Sequence, residues 1–211
     1  MPDKVVSKNQ LRRLPQYLNY LIAKADEGMI KISSTKISTD LNLSEEKVRK
    51  DIALVSKKSG VSGKGRNITE LITDIKEFLG YNKAEYAVLV GCGSLGKALL
   101  GYPGFENYGL KIIAAFDSND DLDGMIYGNK PVYKMDKLEE FCKQNPIKIG
   151  VICVPKDSAQ SVCDMFIKCG ILAIWNFAPI HLNVNDNIIV LNEDMGSSLA
   201  ILSNKMHNLE V

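Results

Sequence analysis

The segment Gly91-Cys92-Gly93-Ser94-Leu95-Gly96 has the residue types and spacing of a loop that holds the pyrophosphate of a dinucleotide. It follows a continuous apolar run, Tyr86 to Val90, and leads into Lys97 to Leu100, so it stands between a predicted strand and a predicted helix. In that setting the first glycine permits a tight turn, the second lets the phosphates approach the backbone, and the third lets the helix pack on the strand. The loop therefore predicts a phosphate site at a helix N-terminus.

A carboxylate stands where such a site needs one. Asp117 ends the next predicted strand, Lys111 to Phe116, and lies 21 residues after Gly96. There it can accept hydrogen bonds from the ribose hydroxyls and would repel a 2′-phosphate, which favours NAD(H) over NADP(H). The alternative is an ordinary turn residue, because the stretch from Asp117 to Asp120 is rich in turn formers.

Two proline-containing loops are predicted to line the nicotinamide end of the site. Strands are predicted at 147–154 and 171–175, with a helix between them at 157–169, and a loop ends each strand. Cofactors bind at the carboxyl ends of such strands, although a simple strand-ending turn is the alternative for both loops. The residues assigned to the site from these loops are Val154, Pro155, Asn176, Phe177 and Ala178.

Charge is divided unevenly along the chain. Residues 1–66 hold 14 Lys and Arg against 7 Asp and Glu, whereas residues 67–211 hold 12 against 18. A basic N-terminal third indicates contact with a polyanion, although a solvated basic face is the alternative.

The same third has the pattern of a helix-turn-helix. An amphipathic helix from Leu11 carries Pro15 either in its first turn or at a kink, and Ser34 is predicted to cap a helix that runs to about Leu41. After Ser44 a third helix is predicted, with acids in its first turn and an inward stripe of Val48, Ile52 and Val55.

That third helix is predicted to enter the major groove as a recognition helix. Lys47, Lys50 and Asp51 are assigned to its outer face with Arg49 on the flank, and Asp51 is expected to orient a neighbouring cation. The glycine-rich, basic stretch 57–66 is predicted to form a wing, with a flexible linker as the alternative. The residues predicted to bind DNA are Arg12, Arg13, Ser33, Ser34, Lys47, Arg49, Lys50, Lys57, Lys58, Gly63, Lys64 and Arg66.

The cysteines and the apolar runs bound the location of the protein. The five cysteines form no CxxC pair and no Cys/His metal spacing, which predicts buried thiols in a reducing cytoplasm and no metal; a reactive thiol at Cys92 is the alternative. No apolar run approaches the length of a membrane span, and the N-terminus has no secretory apolar region.

Taken together, these motifs resemble the Rex family of redox-sensing transcriptional repressors, over nearly the full length of the chain. The stretches that carry the resemblance are Arg12 to Leu18, Ile32-Ser33-Ser34, Val48 to Asp51, the glycines at 60, 63 and 65, the 91–96 loop, Tyr102-Pro103-Gly104-Phe105, Phe116-Asp117, Val154-Pro155 and Asn176 to Pro179.

The resemblance implies an α/β protein in three parts: a winged-helix DNA-binding domain at 1–84, a Rossmann-like NAD(H)-binding domain at 85–191, and a C-terminal helix at 192–211 exchanged within a homodimer. It also implies that NADH releases the dimer from double-stranded operator DNA, whereas NAD+ competes for the site without releasing it. Tyr102 and Asp194 match family residues that take part in this switch.

Two other functions are weighed against this one. A small NAD-dependent dehydrogenase needs a general acid or base at the nicotinamide, but the chain has two histidines, His181 and His207, and no separate substrate domain. We therefore expect no enzyme activity. A DNA-binding regulator that senses another nucleotide, such as a CoA-type ligand, stays open.

Overall fold

A computed structural model of the chain describes residues 6–57 and 65–208. Its contacts divide the chain into two compact units, Met1–Lys83 and Ala84–Val211. Most of the predicted wing, including Lys58, Gly63 and Lys64, lies outside the described residues.

The first unit consists of helices around a two-stranded ladder. Its elements are α1 (Lys8–Asp26), β1 (Lys31–Ile32), α2 (Ser34–Asp40), α3 (Glu45–Val55), β2 (Arg66–Asn67) and α4 (Ile68–Phe78). The strands pair antiparallel, with Lys31 opposite Asn67 and Ile32 opposite Arg66. The apolar stripes of the helices meet in one core that includes Leu14, Leu18, Ile52 and Leu71.

Two of the predicted helix starts were wrong: α1 begins earlier than Leu11, and the cap of α2 lies one residue before Ser34. Helix α1 begins before Leu11, since Ser7 and Gln10 form a capping box, and Pro15 therefore lies in the helix interior rather than in the first turn. The cap of α2 is Ser33, whose Oγ accepts a hydrogen bond of 3.1 Å from the Lys36 backbone N–H. Ser34 is the first residue of that helix.

The second unit is a parallel sheet with helices on both faces. Its elements are β3 (Glu85–Val90), α5 (Ser94–Gly101), β4 (Leu110–Asp117), β5 (Ile126–Tyr127), β6 (Lys130–Lys134), α6 (Leu138–Gln144), β7 (Ile147–Ile152), α7 (Lys156–Lys168), β8 (Ala173–Asn176), β9 (Ile189–Asn192) and α8 (Met195–His207). The strand order is β5-β6-β4-β3-β7-β8-β9, and β5 alone runs antiparallel to its neighbour.

This order is that of a Rossmann fold, and it fixes where a ligand can bind. From β3 the chain moves outward through β4 to β6, then returns across β3 to β7 and continues outward to β9. The reversal leaves a crevice at the carboxyl ends of β3 and β7, where dinucleotides bind in such sheets. The core strands are apolar on both faces because helices cover both sides of the sheet. Leu89 faces the α5 side, and Val88 packs with the side that holds α7.

Candidate functional site

The glycine loop has the geometry that its spacing predicts. Gly91 adopts a φ of +102°, and a Cβ there would lie 2.6 Å from the Cys153 carbonyl oxygen. A Cβ on Gly96 would lie 1.9 Å from the Gly91 carbonyl oxygen, so this glycine lets α5 pack on the loop. At Gly93, by contrast, an added Cβ would meet no heavy atom within 4 Å among the described residues. The second glycine thus faces open space at the start of α5, which fits a phosphate cradle.

Asp117 joins the end of its strand to the glycine loop. Its Oδ2 accepts a hydrogen bond of 2.6 Å from the Cys92 backbone N–H, and its Oδ1 accepts one of 2.8 Å from Asn119. The carboxylate thus fixes the glycine loop and closes a turn of its own. It is half-buried and lies at the edge of the cleft, where a ligand can still reach it.

A cleft of about 610 Å³ opens above the loop. The predicted site residues that line it are Gly91, Gly93, Ser94, Leu95, Asp117, Val154, Pro155 and Phe177. The other residues that line it were not predicted from the sequence, and these are Val90, Ser118, Met135, Cys153, Ser158, Ser161, Val162 and Met165. Ser158 and Ser161 have the i, i+3 spacing of one helix face directly after the Val154-Pro155 loop, and that spacing could have identified them.

Three further predicted residues lie behind the lining rather than in it. Cys92 and Asn176 are buried, and Gly96 is covered by the loop. Burial raises the pKa of the Cys92 thiol to about 11, with the negative charge of Asp117 acting in the same direction. The thiol is therefore protonated at neutral pH, which disfavours the reactive-cysteine alternative.

Asn176 holds the loop that follows β8. Its Nδ2 donates to the Ala178 and Ile180 carbonyl oxygens and to Asn192 Oδ1, while its Oδ1 accepts from the Ala178 backbone N–H. A fully buried amide that is satisfied in this way fixes the loop conformation. Phe177 is thereby held at the cleft wall.

A second cleft, of about 390 Å³, shares Phe177 with the first and contains Ala178 and Asp194. Asp194 caps α8, because its Oδ1 accepts from the Gly196 and Ser197 backbone N–H groups. The hydrogen bonds from Ser197 hold the pKa of Asp194 below its usual range. Tyr102 is exposed, and its ring contacts Phe105 edge-on at a centroid distance of 4.8 Å.

In the first unit, α3 carries its cations beside its own acids. Arg49 donates to Glu45 at 2.8 Å, and Lys50 lies 2.7 Å from Glu46, both pairs being exposed. Lys47 is exposed on the same helix. The acids also lie in the first turn, where the helix dipole favours them.

Asp51 was assigned to the wrong face of α3. It is 1% exposed and accepts hydrogen bonds from Arg13 Nε at 2.7 Å, Arg13 Nη2 at 3.0 Å and the Tyr17 hydroxyl at 2.8 Å. Its expected role of orienting a cation is met by Arg13, across the packing of α1 on α3. Burial acts to raise the pKa of Asp51, but these hydrogen bonds outweigh it and the pKa lies below its usual range.

The remaining basic candidates occupy the outside of the first unit. Arg12 is exposed on α1, and Ser33 is exposed at the α2 cap. Lys57 Nζ lies 2.6 Å from Glu77, and Arg66 Nη1 donates to Ser56 Oγ at 2.9 Å. Lys57 and Arg66 are the first and last residues of the basic, glycine-rich stretch 57–66.

The described ranges offer no group of three or more His, Cys, Asp or Glu side chains that could hold a metal ion. Within them, no helix has both the length and the apolarity that crossing a membrane requires.

Curated relatives match nearly the whole chain. The chain is 41% identical to the redox-sensing transcriptional repressor Rex of Treponema denticola, over 97% of each protein. The chain belongs to the Rex family. Rex of Clostridioides difficile is 38% identical over 95% of each protein, and Rex of Porphyromonas gingivalis is 36% identical over 98% of this chain and 94% of the relative.

Solved structures agree with the Rex assignment and with the predicted fold. The Rex-family repressor RSP, crystallised with β-NAD+ and operator DNA, has a TM-score of 0.90 at 34% identity, covering 99% of this chain and 95% of that one. RSP with β-NADH has a TM-score of 0.86 at 33% identity, covering 99% and 97%. Two family models also match: a putative DNA-binding protein N-terminus at 5–53 and a CoA binding domain at 82–180.

Membership in the Rex family decides between two of the functions weighed above. Rex proteins are transcriptional repressors, so the dehydrogenase alternative is wrong and the prediction that the chain is not an enzyme is confirmed. The α/β fold, with a DNA-binding N-terminal part before a Rossmann-like part, is confirmed as well.

Proposed function

We propose that this Rex-family protein binds operator DNA as a homodimer through residues 1–84 and leaves the DNA when NADH fills the cleft of residues 85–191. The observation that carries the ligand assignment is Asp117 at the edge of the cleft, because a carboxylate there accepts ribose hydroxyls and repels a 2′-phosphate.

Each part of the dinucleotide is assigned to different residues of the cleft. Gly93 and Ser94 start α5 and offer backbone N–H groups to the pyrophosphate, Asp117 accepts from the adenosine ribose, and Phe177 lies toward the nicotinamide. Cys92, Gly96, Asn176 and Ala178 act behind this surface by fixing the two loops. Tyr102 and Asp194 lie at the nicotinamide end, where they belong to the switch.

The N-terminal contacts divide into base reading and phosphate binding. Lys47, Arg49 and Lys50 on α3 reach base edges in the major groove, where lysine or arginine can donate to guanine O6 and N7. The phosphate contacts are assigned to Arg12, Ser33, Ser34, Lys57, Lys58, Gly63, Lys64 and Arg66. Arg13 acts through Asp51, by holding α3 at its angle to α1.

The C-terminal helix completes the proposal. Helix α8, within residues 192–211, exposes apolar side chains that a partner subunit would cover by helix exchange. The protein acts in the cytoplasm, where its DNA and NADH both occur. Release by NADH is a linkage effect, since NADH must bind the DNA-incompetent arrangement more tightly and DNA must weaken NADH binding by the same factor.

Fluorescence anisotropy of a labelled palindromic operator tests the proposal. The duplex is titrated with protein at fixed salt in the presence of NADH, NAD+, NADPH, CoA or buffer, with a scrambled duplex as control. We expect NADH to weaken operator binding about 5- to 150-fold while NAD+ and NADPH leave it intact. Release by CoA in place of NADH would support the other regulator, and indifference to every nucleotide would overturn the sensing role.

A further inference from the structure

We propose that Trp175 is a positioning residue that connects the cofactor cleft to the start of α8. The inference rests on the proposed function, because it concerns how an occupied cleft is sensed at the helix. Trp175 follows the buried Ile174 on β8, and its ring leaves the opposite face of the sheet.

The Trp175 ring is the middle member of an aromatic row. Its centroid lies 5.4 Å from that of Phe105, at an angle of 78°, and 4.8 Å from that of Phe177, at 50°. Phe105 in turn contacts Tyr102 edge-on. Rings at these distances move together because interiors pack without free space. The row therefore runs without a break from the cleft wall at Phe177 to the exposed Tyr102.

The polar edge of the same ring is attached to the approach to α8. Trp175 Nε1 donates a hydrogen bond of 3.0 Å to Glu193 Oε1, and the Glu193 backbone N–H donates to the Asn176 carbonyl oxygen at 2.8 Å. Glu193 directly precedes Asp194, the cap of α8. The strand end is thus tied to β8 by backbone and by side chain, and the side-chain tie is the one that depends on the indole.

These contacts give a ligand a physical route to the helix. A nicotinamide against Phe177 presses on a ring that contacts Trp175, and a shift of the indole changes the direction of its N–H. Glu193 carries that change to Asp194, since adjacent residues share one peptide plane. Because α8 is proposed to pack on a partner subunit, a small change at its cap alters the relation of the two subunits.

The test separates the indole N–H from the bulk of the ring. Trp175→Phe keeps an aromatic ring and removes the donor, Glu193→Ala removes the acceptor, and Glu193→Gln keeps an acceptor oxygen. The quantity measured is the coupling ratio, the operator Kd with saturating NADH divided by that without it. We expect the ratio to fall about fivefold in Trp175→Phe and Glu193→Ala, and to stay within about twofold of wild type in Glu193→Gln.

A matched control removes side-chain hydrogen bonds elsewhere in the same unit. Gln160 Nε2 donates to the Asn183 carbonyl oxygen at 3.0 Å and to Asp164 Oδ1 at 2.9 Å, and its Oε1 accepts from the Asn183 backbone N–H at 2.9 Å. Gln160→Leu removes all three bonds and should leave the ratio unchanged. Affinity for NADH without DNA should stay within about twofold in Trp175→Phe, because Trp175 does not line the cleft. A wild-type ratio in Trp175→Phe, or an equal loss in Glu193→Gln and Glu193→Ala, would overturn the inference.

Hydrogen exchange provides a readout that does not depend on NADH release. The backbone N–H groups of Gly196 and Ser197 are held by Asp194, so a loosened Glu193 should speed their exchange in Trp175→Phe. If NADH fails to release the wild-type protein from DNA, the proposed function is wrong, and hydrogen exchange alone then tests the role of Trp175. Unchanged exchange at both amides would then refute the role of Trp175.

Discussion

Gly93 and Gly96 lie three residues apart in one glycine motif, but an added methyl group would meet different surroundings at the two positions. Gly96→Ala places a Cβ 1.9 Å from the Gly91 carbonyl oxygen, which forces α5 away from the loop. We expect it to lower the free energy of unfolding by about 2 kcal/mol. Gly93→Ala meets open space, so its thermal unfolding should match wild type while NADH affinity falls at least about tenfold.

Calorimetry and a thermal melt on each variant check this pair. The contrast depends on the phosphates approaching Gly93. Wild-type NADH affinity in a well-folded Gly93→Ala would therefore show that the pyrophosphate does not bind beside this glycine. A Gly96→Ala protein as stable as wild type would show that α5 can shift at little cost.

Asp117 supports the loop and selects the ligand, and two substitutions separate these roles. Asp117→Asn keeps an acceptor for the Cys92 backbone N–H but loses the charge that repels a 2′-phosphate. It should therefore bind NADPH better than wild type does, with modest loss of NADH affinity. Asp117→Ala should show the same gain for NADPH and, in addition, lose about tenfold in its affinity for NADH. Titration calorimetry with both nucleotides measures this, and unchanged preference in both variants would sink the ribose assignment.

Helix α3 presents acids beside the cations that are proposed to touch DNA. Lys50 must leave Glu46 to reach a base or a phosphate, and the carboxylate left behind repels the duplex. We expect Glu46→Gln to tighten binding to operator and scrambled duplexes, measured by anisotropy at fixed salt. Glu77→Gln, which breaks the ion pair of Lys57, serves as comparison. Weaker binding in Glu46→Gln would mean that the pair holds Lys50 in its productive position.

The tie between α1 and α3 depends on the buried Asp51 carboxylate. Asp51→Asn leaves the Arg13 guanidinium beside a neutral partner, so we expect the first unit to lose about 3 kcal/mol of stability at pH 7, by urea unfolding followed by circular dichroism. Tyr17→Phe removes one hydrogen bond and should cost about 1 kcal/mol. Glu45→Gln breaks an exposed pair and should leave the unfolding curve unchanged.

The same carboxylate gives the unit a defined response to acid. Because the pKa of Asp51 is lower in the folded protein than in the unfolded chain, its contribution is complete above the unfolded value of about 3.9 and is lost as the pH falls through the folded value. The stability gap between wild type and Asp51→Asn should therefore narrow below about pH 4. A gap that widens on acidification would contradict the direction of the pKa shift.

The sequence predicted elements well where a long pattern repeats and poorly where a short one depends on the fold. The inward stripe of α3 and the apolar run before Gly91 were sufficient to place a helix and a strand. The hairpin of β5 and β6 was missed because strands of two and five residues carry little periodicity. Asp51 was placed outside because a charged residue is rarely buried, and its partner Arg13 lies 38 residues away.

The cleft shows the same division at the scale of a site. The glycine spacing identified the loop, since each glycine answers a local requirement of the backbone. Met135 and Met165 could not be identified as cleft residues from the sequence. They reach the cleft from elements that pack against the sheet, and a local sequence pattern does not predict that packing. Trp175 was named as part of a strand, but its contacts with Phe105 and Glu193 come from distant parts of the chain.

At the scale of the whole molecule, α8 is a helix whose apolar side chains lie in water in a single chain. Met195, Leu199, Leu202 and Met206 are each more than half exposed, and their spacing places them along one stripe. Under the proposed exchange, Leu202→Glu should convert the dimer to a monomer in sedimentation equilibrium and abolish operator binding. Asn204→Glu adds the same charge on the opposite face of the same helix and should remain dimeric. A dimeric Leu202→Glu would place the subunit interface elsewhere.

The aromatic row has a further, optical consequence. Trp175 is the single tryptophan of the chain, and its ring contacts the phenylalanine at the cleft wall. The ultraviolet-excited emission of the unlabelled protein beyond the tyrosine band therefore comes from one position, beside the site where a reduced nicotinamide would absorb that light. The protein thus carries a built-in probe of its own occupancy, and the same emission records whether α8 and the cleft change together or one after the other.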